Sequence, residues 1–196
     1  MWSVSIDGTG HISNFGDFDP LAQESGVTLR YVDSPTDLGR PDLIILPGTK
    51  TTIPDLAWMD RQGLTQAVIE AHGNGSALIG ICGGYQMLGQ VVSDPEGIEG
   101  PPGETPGLGL LDITTVMGGD KSLRLGQACH ATLKQAFRGY EIHIGRSDGP
   151  DRRRPFAEIA GQPEGACSAD GLVSGSYLHG MFADDGFRRA WLTQLG

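Results

Sequence analysis

The stretch Ala77-Leu78-Ile79-Gly80-Ile81-Cys82-Gly83-Gly84 decides how the rest of the chain is read. Its first five residues carry no charge and suit a strand buried on both faces. The run then meets Cys82 between glycines, in the pattern G-x-C-x-G, the form of a nucleophile held on a sharp strand-to-helix turn. A residue on so tight a turn is driven to positive φ. A side chain two positions before or after it would strike the crossing backbone, and glycine at 80 and 84 avoids both collisions. The helix expected from Gly83 to Val91 would bring free N–H groups and partial positive charge close to the sulfur, favouring the thiolate. The competing reading is a small buried cysteine in a glycine-rich strand end.

Upstream, Leu43-Ile44-Ile45-Leu46 is a second continuous apolar run, closed by Pro47-Gly48. Helical pieces follow at Pro54 to Gln62 and Leu64 to His72, divided by Gly63. Earlier still, Val4 to Ile6 and Val27 to Val32 read as strands, and between them Asp19-Pro20 reads as an N-cap and first helical proline, with Gly26 as the stop. This alternation predicts an α/β fold with a mostly parallel open sheet and helices on both faces. Residues 93–109 are dense in glycine and proline and read as a loop or lid. Beyond them come short extended runs at Leu110 to Val116, Ala128 to Leu133, Tyr140 to Ile144, Ala157 to Ile159 and Leu172 to Tyr177, several of them expected as antiparallel additions to the sheet. An amphipathic helix closes the chain, capped by Asp184 or Asp185, with Phe187, Ala190, Trp191 and Leu195 on one face. The 196 residues are taken as one domain, 1–196.

Composition excludes several function classes. With 38% hydrophobic and 19% charged residues the chain is an ordinary globular one. No run approaches the roughly 20 apolar residues of a membrane span, and no secretory signal opens it, so a soluble cytoplasmic protein is expected. A net charge of −10 disfavours nucleic acid, and Arg152 to Arg154 is the only basic run. Cys82, Cys129 and Cys167 form no C-x-x-C pair and leave an odd count, against a disulfide framework or a zinc site. A nucleophilic thiolate needs a base that also protonates the leaving group, and His11, His72, His130, His143 and His179 are available. His179 ends the extended run from Leu172, which would put it at the carboxyl end of a strand, where Cys82 also lies. His143 remains a second candidate.

Taken together, these segments resemble the glutamine amidotransferase domain of the cobyric acid synthase family, enzymes of cobalamin biosynthesis. The resemblance is carried by His11 to Phe15 with Asp17 to Leu21, Leu46 to Thr52 with Asp55 to Trp58, GICGGYQMLG (Gly80 to Gly89), GYEIHIG (Gly139 to Gly145) and SYLHGMF (Ser176 to Phe182). It implies that Cys82 attacks the side-chain amide of glutamine, that His179 handles the protons, and that water releases glutamate from a thioester. It further implies oxyanion donors from the Gly48-Thr49 turn and from Gly83, and a substrate-holding role for Gln86, whose bland alternative is a polar residue on a helix surface. Tyr85 and His143 are secondary candidates.

Two departures matter. The wider amidotransferase class has glutamate two residues after the histidine, where this chain has Met181; the resembled branch also lacks it, so a dyad or another orienting group is expected. The chain also has no G-x-x-x-x-G-K-[ST] loop. ATP and magnesium are therefore expected only in a separate synthetase domain or subunit that receives the ammonia, and neither a cofactor nor a metal is expected here. Alternative readings are a standalone subunit serving another amide ligase, such as one for cell-wall lipid precursors, and a non-catalytic binding module. The Pro47 to Trp58 stretch favours the corrinoid branch.

Overall fold

A computed structural model describes residues 2–7, 15–119 and 122–194. The amino-terminal part runs β1 (Trp2–Asp7), α1 (Asp19–Ala22), β2 (Val27–Val32), α2 (Pro35–Leu38), β3 (Leu43–Leu46), α3 (Thr52–Gln62), α4 (Leu64–Gly73), β4 (Ala77–Ile81) and α5 (Gly83–Met87). Then come β5 (Val91–Asp94), β6 (Gly103–Pro106), β7 (Thr114–Val116), β8 (Ser122–His130), β9 (Ala136–His143), β10 (Arg146–Asp148), β11 (Ala157–Ile159), β12 (Gln162–Glu164), β13 (Ala166–Cys167), β14 (Val173–Ser176), β15 (Leu178–His179) and α6 (Asp185–Gln194).

The central sheet has the order β13-β14-β4-β3-β1-β2, with every pairing parallel except that of β13. The two apolar runs occupy its middle because their residues are needed on both faces. Ile44, Leu46 and Leu78 pack with Leu56, Met59, Leu64 and Val68 of α3 and α4. Their neighbours Leu43, Ile45, Ile79 and Ile81 pack on the opposite face with Leu21 of α1 and Phe187, Trp191 and Leu192 of α6. Gly63 divides α3 from α4 with φ +77°, the left-handed turn that glycine takes without strain.

Several expectations are corrected. The extended runs of the second half do not extend one sheet. The run from Leu172 does join the central sheet as β14, parallel to β4, with β13 added antiparallel beside it, whereas the others build an antiparallel sheet of order β12-β11-β8-β9-β15 and a four-stranded sheet β10-β7-β5-β6. Residues 93–109 are not a structureless loop, since β5 pairs with β6 from Val91↔Pro106 to Asp94↔Gly103. Their connection is organised by Asp94, whose carboxylate accepts the N–H groups of Ile98 and Glu99. The helix after Cys82 stops at Met87, four residues short of Val91, because the chain must turn there to enter β5. At α1 the N-cap position is Phe18, with no side-chain cap, and Asp19 is already helical. At α6 the cap is Asp184, whose Oδ1 accepts the Phe187 N–H at 3.0 Å. The expectations for His11 to Asn14 and Leu195 fall outside the described residues.

Candidate active site

Cys82 holds φ +53° and ψ −110° between β4 and α5, a conformation an L residue adopts only under constraint. The constraint is visible at the glycines. A Cβ on Gly80 would lie 2.5 Å from the Gly84 carbonyl oxygen, and one on Gly84 would lie 2.1 Å from that of Leu46. The strand, the turn and the helix thus cross at distances only glycine permits.

The register of the central sheet brings the second group in. Ser176 of β14 pairs with Ile81, and its carbonyl accepts the Cys82 N–H at 2.8 Å. One residue later the chain leaves the central sheet. Leu178 and His179 pair with Glu141 and Tyr140 of β9, so Tyr177 is where the strand changes sheets and His179 arrives beside Cys82. A Cβ on Gly48 would stand 2.7 Å from His179 Cε1, 3.5 Å from Nε2 and 3.6 Å from Cys82 Cβ. Gly48 is therefore the gap through which imidazole and cysteine face each other.

His179 Nδ1 meets the Asp17 carboxylate at 2.8 Å, although the two are 162 residues apart in sequence. Asp17 ends a single helical turn, Phe15–Asp17, just before α1. Burial alone would lower the imidazole pKa. The hydrogen bond to Asp17 and the nearness of the Cys82 sulfur, with the charges of both, outweigh it and raise it to about 9. The orienting group absent at Met181 is thus supplied by the other end of the chain. Neither periodicity nor spacing could have shown this; the only trace was that Asp17 lies in one of the motif stretches.

Cys82 and His179 line a pocket of about 480 Å³ with Thr49, Gln86, Tyr140 and His143. Gly83 faces Thr49, for a Cβ there would be 3.3 Å from the Thr49 nitrogen. Thr49 is fixed in turn by a short hydrogen bond from its hydroxyl to Asp55, and that hydroxyl also accepts the Thr51 N–H. Gln86 is not on a helix surface. It is 2% exposed, accepts from the Thr52 hydroxyl at 2.7 Å and donates to the Ile144 carbonyl at 2.9 Å and the Tyr177 hydroxyl at 3.3 Å. Lys50 and Glu99 also line the pocket, and the Glu99 carboxylate accepts the Ile53 N–H at the start of α3. The β5-β6 connection therefore forms one wall.

The secondary candidates separate. His143 lines the pocket, stacks on Tyr177 with centroids 3.6 Å apart, and contacts Glu141 at 3.3 Å. Burial, then the nearby Arg124 and His179, push its pKa down to about 4, so it is neutral at pH 7. Tyr85 is fully buried against Gly175 and Tyr177 and does not line this pocket. His72 and His130 lie elsewhere, at the end of α4 and in the core beside Phe156. Cys129 and Cys167 are free thiols outside the pocket, and burial pushes Cys167 up to about 11. Among the described residues no group of three or more His, Cys, Asp or Glu could hold a metal ion, and no helix is long and apolar enough to cross a membrane.

Known proteins resemble this chain over most of its length. Residues 4–187 match the model of the CobB/CobQ-like glutamine amidotransferase domain. The cobyric acid synthase of Jannaschia sp. (strain CCS1) is 57% identical over 186 residues, which is 94% of this chain and 39% of that protein. That of Cereibacter sphaeroides (strain ATCC 17023) is 56% identical over the same shares. The chain thus spans about two fifths of the length of the curated relatives it matches. Among solved structures, one described as a glutamine amidotransferase superposes with a TM-score of 0.72 at 19% identity, covering 98% of this chain and 97% of the other, a likeness of fold.

Proposed function

Because the chain belongs to the CobB/CobQ-like glutamine amidotransferase domain family, we propose that it hydrolyses glutamine at Cys82 and supplies the ammonia for ATP-dependent amidation of corrinoid carboxylates. The observation that carries the reading is the sequence Cys82, His179, Asp17 in space: a sulfur on a strained turn, an imidazole against it, and a carboxylate 2.8 Å behind the imidazole.

In this reading glutamine enters with its side-chain amide over Cys82. His179, which its raised pKa keeps protonated at neutral pH, already holds the thiol proton, so the Cys82 thiolate forms the bond to the amide carbon while the C=O electrons move to oxygen. The N–H groups of Gly83 and of the Gly48-Thr49 turn hold the oxyanion. As the carbonyl reforms, the C–N bond breaks and His179 passes its proton to the leaving nitrogen, releasing ammonia and leaving a glutamyl thioester. Water, deprotonated by His179, then attacks the thioester and frees glutamate. Asp17 accepts the Nδ1–H throughout, fixing the tautomer that presents Nε2 to the sulfur and stabilising the imidazolium. Gln86, clamped by Thr52, Tyr177 and the Ile144 carbonyl, shapes the floor under the substrate.

The missing carboxylate after the histidine favours a non-catalytic module, and the Asp17 carboxylate beside His179 Nδ1 weighs against it. The acceptor is proposed from the name of the cobyric acid synthase relatives, and the use of ATP and magnesium by a separate synthetase part is proposed with it. Glutamate release from glutamine, measured with a coupled dehydrogenase, tests the proposal. Release that disappears in Cys82→Ala supports it; release that survives that change overturns it.

A further inference from the structure

The antiparallel sheet turns one face to the core and the other outward. Directly paired residues of neighbouring strands share a face, so the register arranges the outer side into rows. Leu125 of β8 pairs with Tyr140 of β9, which pairs with His179 of β15, so one straight row leads from solvent to the imidazole. The next row is Leu123 with Ile142, whose carbonyl faces the Cys82 thiol at 3.6 Å. Leu123 is 75% exposed and Leu125 81%.

A half-covered strand ordinarily alternates apolar inward with polar outward, and here the outward positions nearest the site are the apolar ones. Further along the same face come Gln127 with Arg138 and Cys129 with Ala136. Glu158 of β11 also pairs with Cys129, so the acid on these rows stands at the end of the face away from Leu123 and Leu125. Ile144 lines the pocket and is itself an exposed large apolar side chain, as are Ile98 and Val116, the sequence neighbours of the pocket-lining Glu99 and Met117.

We propose that this outer face, centred on Leu123 and Leu125 and continuous with the pocket mouth, is the docking surface for the synthetase part that takes the ammonia. The inference rests on the glutaminase reading and names the partner of that site. The occupant follows from two observations. About three fifths of each relative's length lies outside the segment matched here, since the match covers 39% of each. Ammonia released into water is protonated and diluted, so its acceptor must abut the mouth, and the apolar rows end there. A second copy of this chain seated on the same rows would cap the pocket and deliver nothing.

The test uses Leu123→Glu/Leu125→Glu and, should charge on the strand disturb folding, Leu123→Ser/Leu125→Ser. Each pair is made in this chain and in a chimera that carries this chain in place of the matched segment of the Jannaschia relative. In the chain alone, glutamate release stays within about twofold of the parent. In the chimera, cobyric acid formation with ammonium as nitrogen source is unchanged, while formation with glutamine falls at least tenfold, the loss expected when a central apolar anchor is removed from an interface. Four results would overturn the proposal: glutamine-driven formation that withstands both pairs, a parent chimera that never couples, both chimera variants losing ammonium-driven formation as well, or a parent chain that sediments as a dimer and becomes monomeric on substitution. Failure of the underlying reading shows separately, as absence of glutamate release from the parent chain itself.

Discussion

Replacing Asp17 with asparagine keeps the side chain's shape and removes its charge. The Asp17 carboxylate lies 2.8 Å from His179 Nδ1 and helps to raise the imidazole to about 9 against the burial that lowers it. Full return to the ordinary histidine value of about 6.5 would withdraw about 3 kcal/mol of preference for the imidazolium. Cys82 supplies part of the rise, so roughly half of that, ~1.5 to 2 kcal/mol, belongs to Asp17. The amide can also present its NH₂ to Nδ1 and select the wrong tautomer, an effect that costs up to ~10⁴ in kcat in other triads. We expect kcat for glutamine hydrolysis to fall by ~10² to 10⁴ with KM little changed, and Asp17→Glu to recover part of it. Stability should respond with a definite sign. A histidine whose folded pKa is raised contributes fully below pH 6.5 and loses that contribution as the pH rises through about 9. The parent should therefore exceed Asp17→Asn in unfolding free energy most near pH 6 and converge with it near pH 10. Histidine NMR titration, pH-rate profiles and urea unfolding read the three effects. An unshifted His179 resonance together with kcat within threefold of the parent would refute the reasoning.

Gly84→Ala would put a Cβ 2.1 Å from the Leu46 carbonyl oxygen, so the variant should lose about 3 kcal/mol or more or fail to fold; a denaturant midpoint near the parent's would contradict the crossing geometry. Glu164 is fully buried, and burial raises its carboxyl to about 7 despite hydrogen bonds from the Tyr177 N–H and the Ser176 hydroxyl. Its contribution is complete below the unfolded value of about 4.5 and fades as the pH rises through 7, so the parent should lose stability across that window and Glu164→Gln should not. His143→Gln should retain glutamate release within about tenfold while His179→Gln loses it, and the reverse outcome would exchange their roles.

What could be read from sequence was local. Leu43 to Leu46 and Ala77 to Ile81 announced buried parallel strands because apolar side chains on both faces leave no alternation, and both lie at the centre of the sheet. Gly80 and Gly84 announced the elbow because its sterics are set within five residues. The rest depended on contacts between distant segments. Leu123 and Leu125 could not declare that they belong to a second sheet, since strand order is fixed by pairing and not by pattern. Residues 93–109 hid a hairpin because Asp94 and the β5-β6 register impose order that glycine and proline content does not reveal. For Gln86 the sequence left a substrate-holding and a helix-surface reading open, and its enclosure by Thr52 and Tyr177 depends on distant segments. Asp17 had no signal of its own, because its meaning lies in a hydrogen bond that closes only when both ends of the chain meet.

The central claim is that a covalent bond forms between Cys82 and the substrate carbon. Acid quenching during turnover with isotopically labelled glutamine, followed by mass spectrometry of the peptide that contains Cys82, observes that bond directly. The account requires a labelled glutamyl adduct on Cys82 that disappears as glutamine is exhausted and accumulates more slowly in Asp17→Asn. Sustained glutamate release with an unmodified Cys82, or an adduct found on Cys129 or Cys167 instead, would contradict it.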